Sequence, residues 1–281
     1  MKCKLSALAL GLAMAWGAAP AMAAGEASVI QGGDDNNATI DQSETDYGYA
    51  RASIQQEGNT NSGYIEQAGI AFGARASIYE GHHANFNTST INQLQVGGAN
   101  ASIAHLGGYN DSWIDQSNAG GLSASIRQGG DYNAAGITQV DGFNLKASIN
   151  EGQGWRGGDF NAAWINQTGE NQEARIEQYR SDYSTADISQ TGVNNEAFIG
   201  QDGDYNEAYI TQAGMGADNE AGIMQGGEFN TAFVEQTGAS LVASVGQPGN
   251  YNYAGVMQTG NNYTATVMQP GNYNSATITQ R

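Results

Sequence analysis

The sequence predicts an all-β fold, a β-solenoid of about 11 stacked strand–corner–strand units. Three observations predict it. Glutamine, or a rare substitute, recurs at 22 places between Gln31 and Gln280. Before most of these places the side chains alternate, with Ile or Val two residues earlier and Ala, Ser or Gly four residues earlier. Such a period of two marks a strand. The interval is often eleven residues, room for one short strand and one tight corner, so the chain reads as a repeat array.

In chain order, residues 1–23 come first. Lys2 and Lys4, the apolar run from Leu5 to Trp16, and Ala21-Met22-Ala23 read as an export signal peptide. The run is too short to span a bilayer. The single cysteine, Cys3, falls inside it, so the mature chain is expected to hold no thiol and no disulfide. Residues 24–281 are then one solenoid domain with 8 basic against 28 acidic residues. With 40 Gly, 3 Pro and few large apolar side chains, a conventional globular core is hard to build. The acidic balance argues against nucleic acid and anionic membranes as partners, and no further apolar segment suggests membrane insertion.

The corners set the phase of the repeat. Every second corner ends in an aromatic residue and Asn, as in Phe86-Asn87, Tyr109-Asn110, Tyr132-Asn133, Phe160-Asn161, Tyr205-Asn206, Phe229-Asn230, Tyr251-Asn252 and Tyr273-Asn274. Tyr183-Ser184, Asp35-Asn36 and Thr60-Asn61 are the variants. The intervening corners differ in length and content. Outward positions agree: first strands carry Ser28, Ser53, Ser77, Ser102, Ser125 and Ser148, whereas second strands carry Tyr64, Trp113, Trp164, Tyr209 and Phe233. The unit therefore has two strands and about 22 to 27 residues, in 11 copies.

One such unit cannot bury its inward face, so stability must come from stacking. With rungs about 4.8 Å apart, 11 of them make a column about 50 Å long. A buried amide is costly alone, but in a ladder each one donates to one neighbour and accepts from the other. The ladder is assigned to Gln31, Gln42, Gln56, Gln67, Gln128, Gln139, Gln201, Gln212, Gln225, Gln236, Gln247, Gln258, Gln269 and Gln280, with Asn36, Asn61, Asn133, Asn206, Asn230, Asn252 and Asn274 at the corners. Gly two residues past Gln lets the backbone bend where a Cβ would clash. Ala27, Val29 and Gln31 form the first rung face and Ala276, Ile278 and Gln280 the last, with nothing to cap either. Uncapped edges predict head-to-tail stacking into a fibre.

Three ladder places depart from glutamine: Glu80, His105 and Glu151. Burial would raise the pKa of the two glutamates, making Glu80 and Glu151 gatekeeper candidates that slow stacking at neutral pH and release it in mild acid. Asp41, Glu66, Asp115 and Glu235 add a column of like charges on the outward face. Catalytic chemistry finds no residues to carry it, so no enzyme, cofactor or metal site is expected. His82 and His83 lack a third ligand, and the acidic corners miss the nine-residue Gly-Asp period of calcium-binding β-rolls.

The pattern Q-x-G-x-x-N-x-A-x-x-x-Q stands as Gln31-Gly33-Asn36-Ala38-Gln42, Gln201-Gly203-Asn206-Ala208-Gln212 and Gln269-Gly271-Asn274-Ala276-Gln280. It resembles the curlin repeat of curli subunits over roughly residues 27–280. The resemblance implies an extracellular functional amyloid on the surface of Gram-negative cells, self-assembling and serving biofilm matrix and adhesion. It also implies a nucleating minor curlin, an outer-membrane secretion pore and periplasmic accessory proteins as partners. Only Ala24 to Glu26 stand where the major curlin has a Gly/Asn-rich export segment. A secreted monomeric solenoid acting as an adhesin or binding module is the other reading.

Overall fold

The computed structural model describes residues 25–43, 49–71, 73–152, 158–214 and 218–281. The expected export signal lies outside them. Twenty-two strands follow one another: β1 Glu26–Gln31, β2 Asn37–Ser43, β3 Ala50–Gln56, β4 Ser62–Ala68, β5 Ala74–Glu80, β6 Thr88–Leu94, β7 Asn100–His105, β8 Asp111–Ser117, β9 Ser123–Gln128, β10 Ala134–Phe143, β11 Lys146–Glu151, β12 Ala162–Glu170, β13 Glu173–Tyr179, β14 Thr185–Val193, β15 Glu196–Asp202, β16 Glu207–Gly214, β17 Glu220–Gly226, β18 Thr231–Ala239, β19 Val242–Gln247, β20 Tyr253–Asn261, β21 Thr264–Met268 and β22 Ser275–Gln280. Odd-numbered strands form one 11-stranded sheet and even-numbered strands a second, each in sequence order. The pairing is parallel, so each unit is one rung with a strand in either sheet. The chain is a β-solenoid.

At the inward Ala, Ile or Val and Gln positions the register follows the repeat, and the shift between β10 and β12 comes only after Val140. Ala174, Ile176 and Gln178 of β13 sit over Ala197, Ile199 and Gln201 of β15. In the facing sheet Ala186, Ile188 and Gln190 of β14 sit over Ala208, Ile210 and Gln212 of β16. Alternation sends these three inward, and the interior between the sheets is an unbroken slab of stacked Ala and Ile or Val. Burying each Ile contributes about 1.5–3 kcal/mol. A one-residue slip would turn the whole apolar set to solvent, which holds the register.

Both kinds of corner have their own construction. At Gly192 φ is +115°, and a Cβ there would stand 1.9 Å from the carbonyl oxygen of Gly214 one rung away. Only glycine fits. The aromatic residue before the corner Asn also takes the left-handed conformation: Phe86, Tyr109, Tyr132, Phe160, Tyr183, Tyr205, Phe229, Tyr251 and Tyr273 all have φ between 56° and 60°. For a bulky residue this costs about 1–2 kcal/mol. The nine rings lie half-exposed in one continuous stack, for example Tyr109 on Tyr132 at 4.7 Å and Tyr132 on Phe160 at 4.9 Å. Each stacked pair contributes about 0.5–1.5 kcal/mol beyond its burial, enough for two neighbours to offset the backbone strain. At the opposite corner a smaller apolar column, Ala50, Ala74, Ala99, Leu122 and Leu145 with Ile70 and Val96, fills the turn in the earlier rungs. Buried Gln172, Asn195 and Asn219 take its place in later ones.

At Tyr132 the usual order of small residues should invert. Tyr132→Ala loses two ring contacts and keeps the strain, whereas Tyr132→Gly loses the contacts and relieves it. Denaturant unfolding is expected to rank glycine above alanine by about 1 kcal/mol.

Candidate assembly columns and end rungs

The even-numbered sheet carries a column of amides without a gap. Each Nε2 donates to the Oε1 of the next rung: Gln42 to Gln67 at 2.7 Å, Gln67 to Gln93 at 2.7 Å, then through Gln116, Gln139, Gln167, Gln190, Gln212, Gln236 and Gln258 to Gln280 at 2.8 Å. The second N–H of an amide crosses to the facing sheet, as from Gln212 to the Glu196 carbonyl at 3.0 Å. That second bond fixes which way the amide points. Every donor therefore runs from the earlier rung to the later one.

In the odd-numbered sheet the same direction holds at both ends. Gln31 donates to Gln56 at 2.8 Å, and Gln178, Gln201, Gln225, Gln247 and Gln269 are joined in order at 2.8–3.0 Å. Between them lies a different construction. Gln56 donates to Glu80 Oε2 at 2.8 Å and Ser89 Oγ lies 2.8 Å from Glu80 Oε1. Ser89 Oγ is 3.3 Å from His105 Nδ1, and His105 Nε2 is 2.8 Å from Ser112 Oγ. Ser112 donates to Gln128 Oε1 at 2.6 Å, and Gln128 donates to Glu151 Oε2 at 2.6 Å. Ser89 and Ser112 come from β6 and β8 of the facing sheet, in the slot that holds Gly63 in β4 and Ala in the other even-numbered strands. Glu80, His105 and Glu151 are fully buried. Burial lowers the His105 pKa to about 3, so the imidazole is neutral. Burial likewise raises both carboxyls, Glu80 against the opposing bonds from Ser89 and Gln56, and Glu151 well above the usual range.

The corner Asn residues form a third column of a different kind from the one expected. It links side chain to backbone, and side-chain amide to side-chain amide only in places such as Asn61–Asn87, 3.2 Å apart. The Asn61 N–H donates to Asn36 Oδ1 at 2.9 Å, and the Asn133 N–H to Asn110 Oδ1 at 2.9 Å, so these donors point toward the earlier rung. The pattern continues through Asn206, Asn230, Asn252 and Asn274. Ser184 stands in for Asn and accepts from the Asn206 N–H at 3.2 Å. His82, outside the columns, pairs with Glu57 at 2.9 Å.

A profile of the curlin associated repeat matches residues 183–214, 216–249, 242–271 and 249–281. Within residues 183–281 the chain carries curlin repeats. With the solenoid they mark a curlin-like structural protein. No curated protein matches the chain. The three odd-numbered strands without glutamine in the ladder slot, β5, β7 and β11, lie before the matched curlin repeats, as does the apolar corner column from Ala50 to Leu145. Among the described residues no helix is long and apolar enough to cross a membrane.

The terminal rungs keep the ladder geometry but stand open. Ala27 and Gln31 of β1 are exposed and Val29 half-buried, while Ala52, Ile54 and Gln56 above them are buried. Ala276, Ile278 and Gln280 of β22 are half-buried. The first rungs thus offer the amide carbonyls of Gln31 and Gln42, the last rungs the amide N–H groups of Gln269 and Gln280.

Gln212→Leu leaves the Gln190 N–H and the Gln236 carbonyl without partners. At about 1–3 kcal/mol for each buried group, denaturant unfolding should show a loss of about 2–6 kcal/mol. Exposed Thr211→Leu, beside it, should change stability by less than about 0.5 kcal/mol.

Proposed function

We propose that this curlin-like protein is a structural subunit of extracellular curli-type amyloid fibres on the bacterial surface, where it supports biofilm matrix and cell adhesion. One observation carries the reading: the two ends of the solenoid are unlike and complementary. Both glutamine columns end in donors at the last rungs and begin with acceptors at the first, while along the Asn column the backbone N–H groups donate to the earlier rung and side-chain Nδ2 groups to carbonyls of the later one. A second copy set on β21 and β22 by its own β1 and β2 continues all three columns at once. It also covers the open faces of Ala27, Val29 and Ile278. Such a contact is heterologous and does not close, so it propagates.

In this reading residues 1–23 direct export, and the freshly exported chain is disordered, being acidic and poor in large apolar residues. The principal partner is another copy of the chain. A nucleating minor curlin, an outer-membrane pore and periplasmic accessory proteins follow from the curlin repeats by family. No cofactor enters the reading.

The test is seeded growth of the purified mature chain. Fibre fragments are expected to abolish the lag seen by thioflavin fluorescence, and Ile278→Lys in the half-buried last rung should slow elongation from seeds at least tenfold. A monomeric adhesin would fold without a lag and ignore the seeds, and that outcome would replace the fibre reading.

A further inference from the structure

The odd-numbered column is short of hydrogens. Between Gln56 and Gln178 it has seven links: Gln56–Glu80, Glu80–Ser89, Ser89–His105, His105–Ser112, Ser112–Gln128, Gln128–Glu151 and Glu151–Gln178. Each link needs one hydrogen between its two heavy atoms. Gln56 gives one, because its other N–H goes to the Asn37 carbonyl at 3.1 Å. Ser89, Ser112 and a neutral His105 give one each. Gln128 gives one, whichever way its amide is turned, since nitrogen faces only one of its two neighbours. Gln178 gives none, as its nitrogen is directed away to the Ser184 carbonyl at 3.1 Å and to Gln201 at 2.8 Å. Five hydrogens serve seven links.

The deficit is visible where the chain of donors ends. Glu151 and Gln178 are paired in register, and the buried oxygens Glu151 Oε1 and Gln178 Oε1 both lack a donor. A carboxylate and an amide carbonyl side by side in an apolar slot would repel. A carboxyl hydroxyl on Glu151 turns the same pair into a hydrogen bond. In the Glu80 segment the count closes with one added hydrogen, because Ser89 can then donate to His105 Nδ1 and His105 Nε2–H to Ser112. We propose that Glu80 and Glu151 each enter the column with a proton drawn from solvent, so that completing the solenoid takes up two protons per chain.

Among the described residues the surroundings leave no other group to supply this charge balance. Inward positions beside Glu151 are Gln128 on β9, Ala135 on β10, Ala163 on β12 and Gln178 on β13, all buried and uncharged. Around Glu80 they are Gln56 on β3, Gly63 on β4, Ser89 on β6 and His105 on β7. His105 Nδ1 is 3.8 Å from Glu80 Oε1, too long for a direct bond. The surface pair of Glu57 with His82 is engaged with itself. A carboxyl that is neutral when folded and ionised when free stabilises the fold at low pH, and that contribution is lost as the pH rises toward the folded group's value.

This deepens the fibre reading as the regulation of its assembly, and it is tested by counting protons. The mature chain, unfolded in urea, is diluted near neutral pH into weak buffer with an indicator dye. Uptake attributable to the column should approach two protons per chain, fall to one in Glu80→Gln or Glu151→Gln, and vanish in the double variant. The substituted amides supply the missing hydrogens, so these variants fold. Above the pH at which free glutamate ionises, the monomer left in equilibrium with fibres should rise about tenfold per pH unit for each proton in the native chain, and stay level in the double variant. Equal uptake by native and double-variant chains would overturn the proposal. If the native chain folds without forming fibres, the same difference is read on the folding step, so failure of the fibre reading and failure of the proton requirement are separate results.

Discussion

An amide inside a thin apolar slab has to be bonded, and this requirement shapes the whole molecule. The interior is only three side chains deep on each strand: a small residue, a branched one and a glutamine. An unpaired glutamine there would cost more than its methylenes return. The partner that meets both polar ends at strand spacing is the same residue one rung away. Parallel pairing, a register repeated at every inward position and a sheet on either side all follow. The corners absorb the difference when the unit length varies, from 22 residues between Gln190 and Gln212 to 28 between Gln139 and Gln167.

Much of this was legible because it is written locally and then repeated. Alternation gave the strands, the interval gave the unit, and the aromatic-Asn pairs distinguished one corner from the other. What was not legible lies across the slab. Ser89 and Ser112 fall in a slot where small residues interchange, so nothing in the alternation separates them from the alanines of other rungs. Their meaning appears only when they are seen to bridge Glu80, His105 and Gln128 from the facing strands. The left-handed Phe and Tyr corners go against single-residue preference, and a stack of rings is needed to hold them there. The apolar column from Ala50 to Leu145 was hidden in the corners that vary most.

The two halves of the solenoid differ in how they satisfy the same constraint. From Gln178 onward the amide columns are uniform, and this is the region where the curlin repeat is matched. Before it, in the odd-numbered sheet, two acids, an imidazole and two hydroxyls interrupt the simple amide relay. The strands of the even-numbered sheet hold Asp and Glu but no Lys, Arg or His, whereas Arg51, Arg75, Arg127, Lys146 and Arg175 lie in the other sheet. Stacking therefore brings like charges into columns on one face, an opposition that salt screens. The interior columns must outweigh it, which gives their completeness a direct bearing on assembly.

The central claim is that the register within one chain continues unchanged into the next, and a pair of cysteines tests it most directly. Thr266 in β21 and Ser28 in β1 are outward positions of matching register, and residues 24–281 contain no cysteine. In fibres grown from Thr266→Cys/Ser28→Cys the two thiols of neighbouring copies should lie one strand spacing apart, within disulfide reach. Oxidation should then give covalent polymers, with neither single variant cross-linking. Dimers formed by Ser28→Cys alone, or fibres whose thiols stay free, would contradict the account.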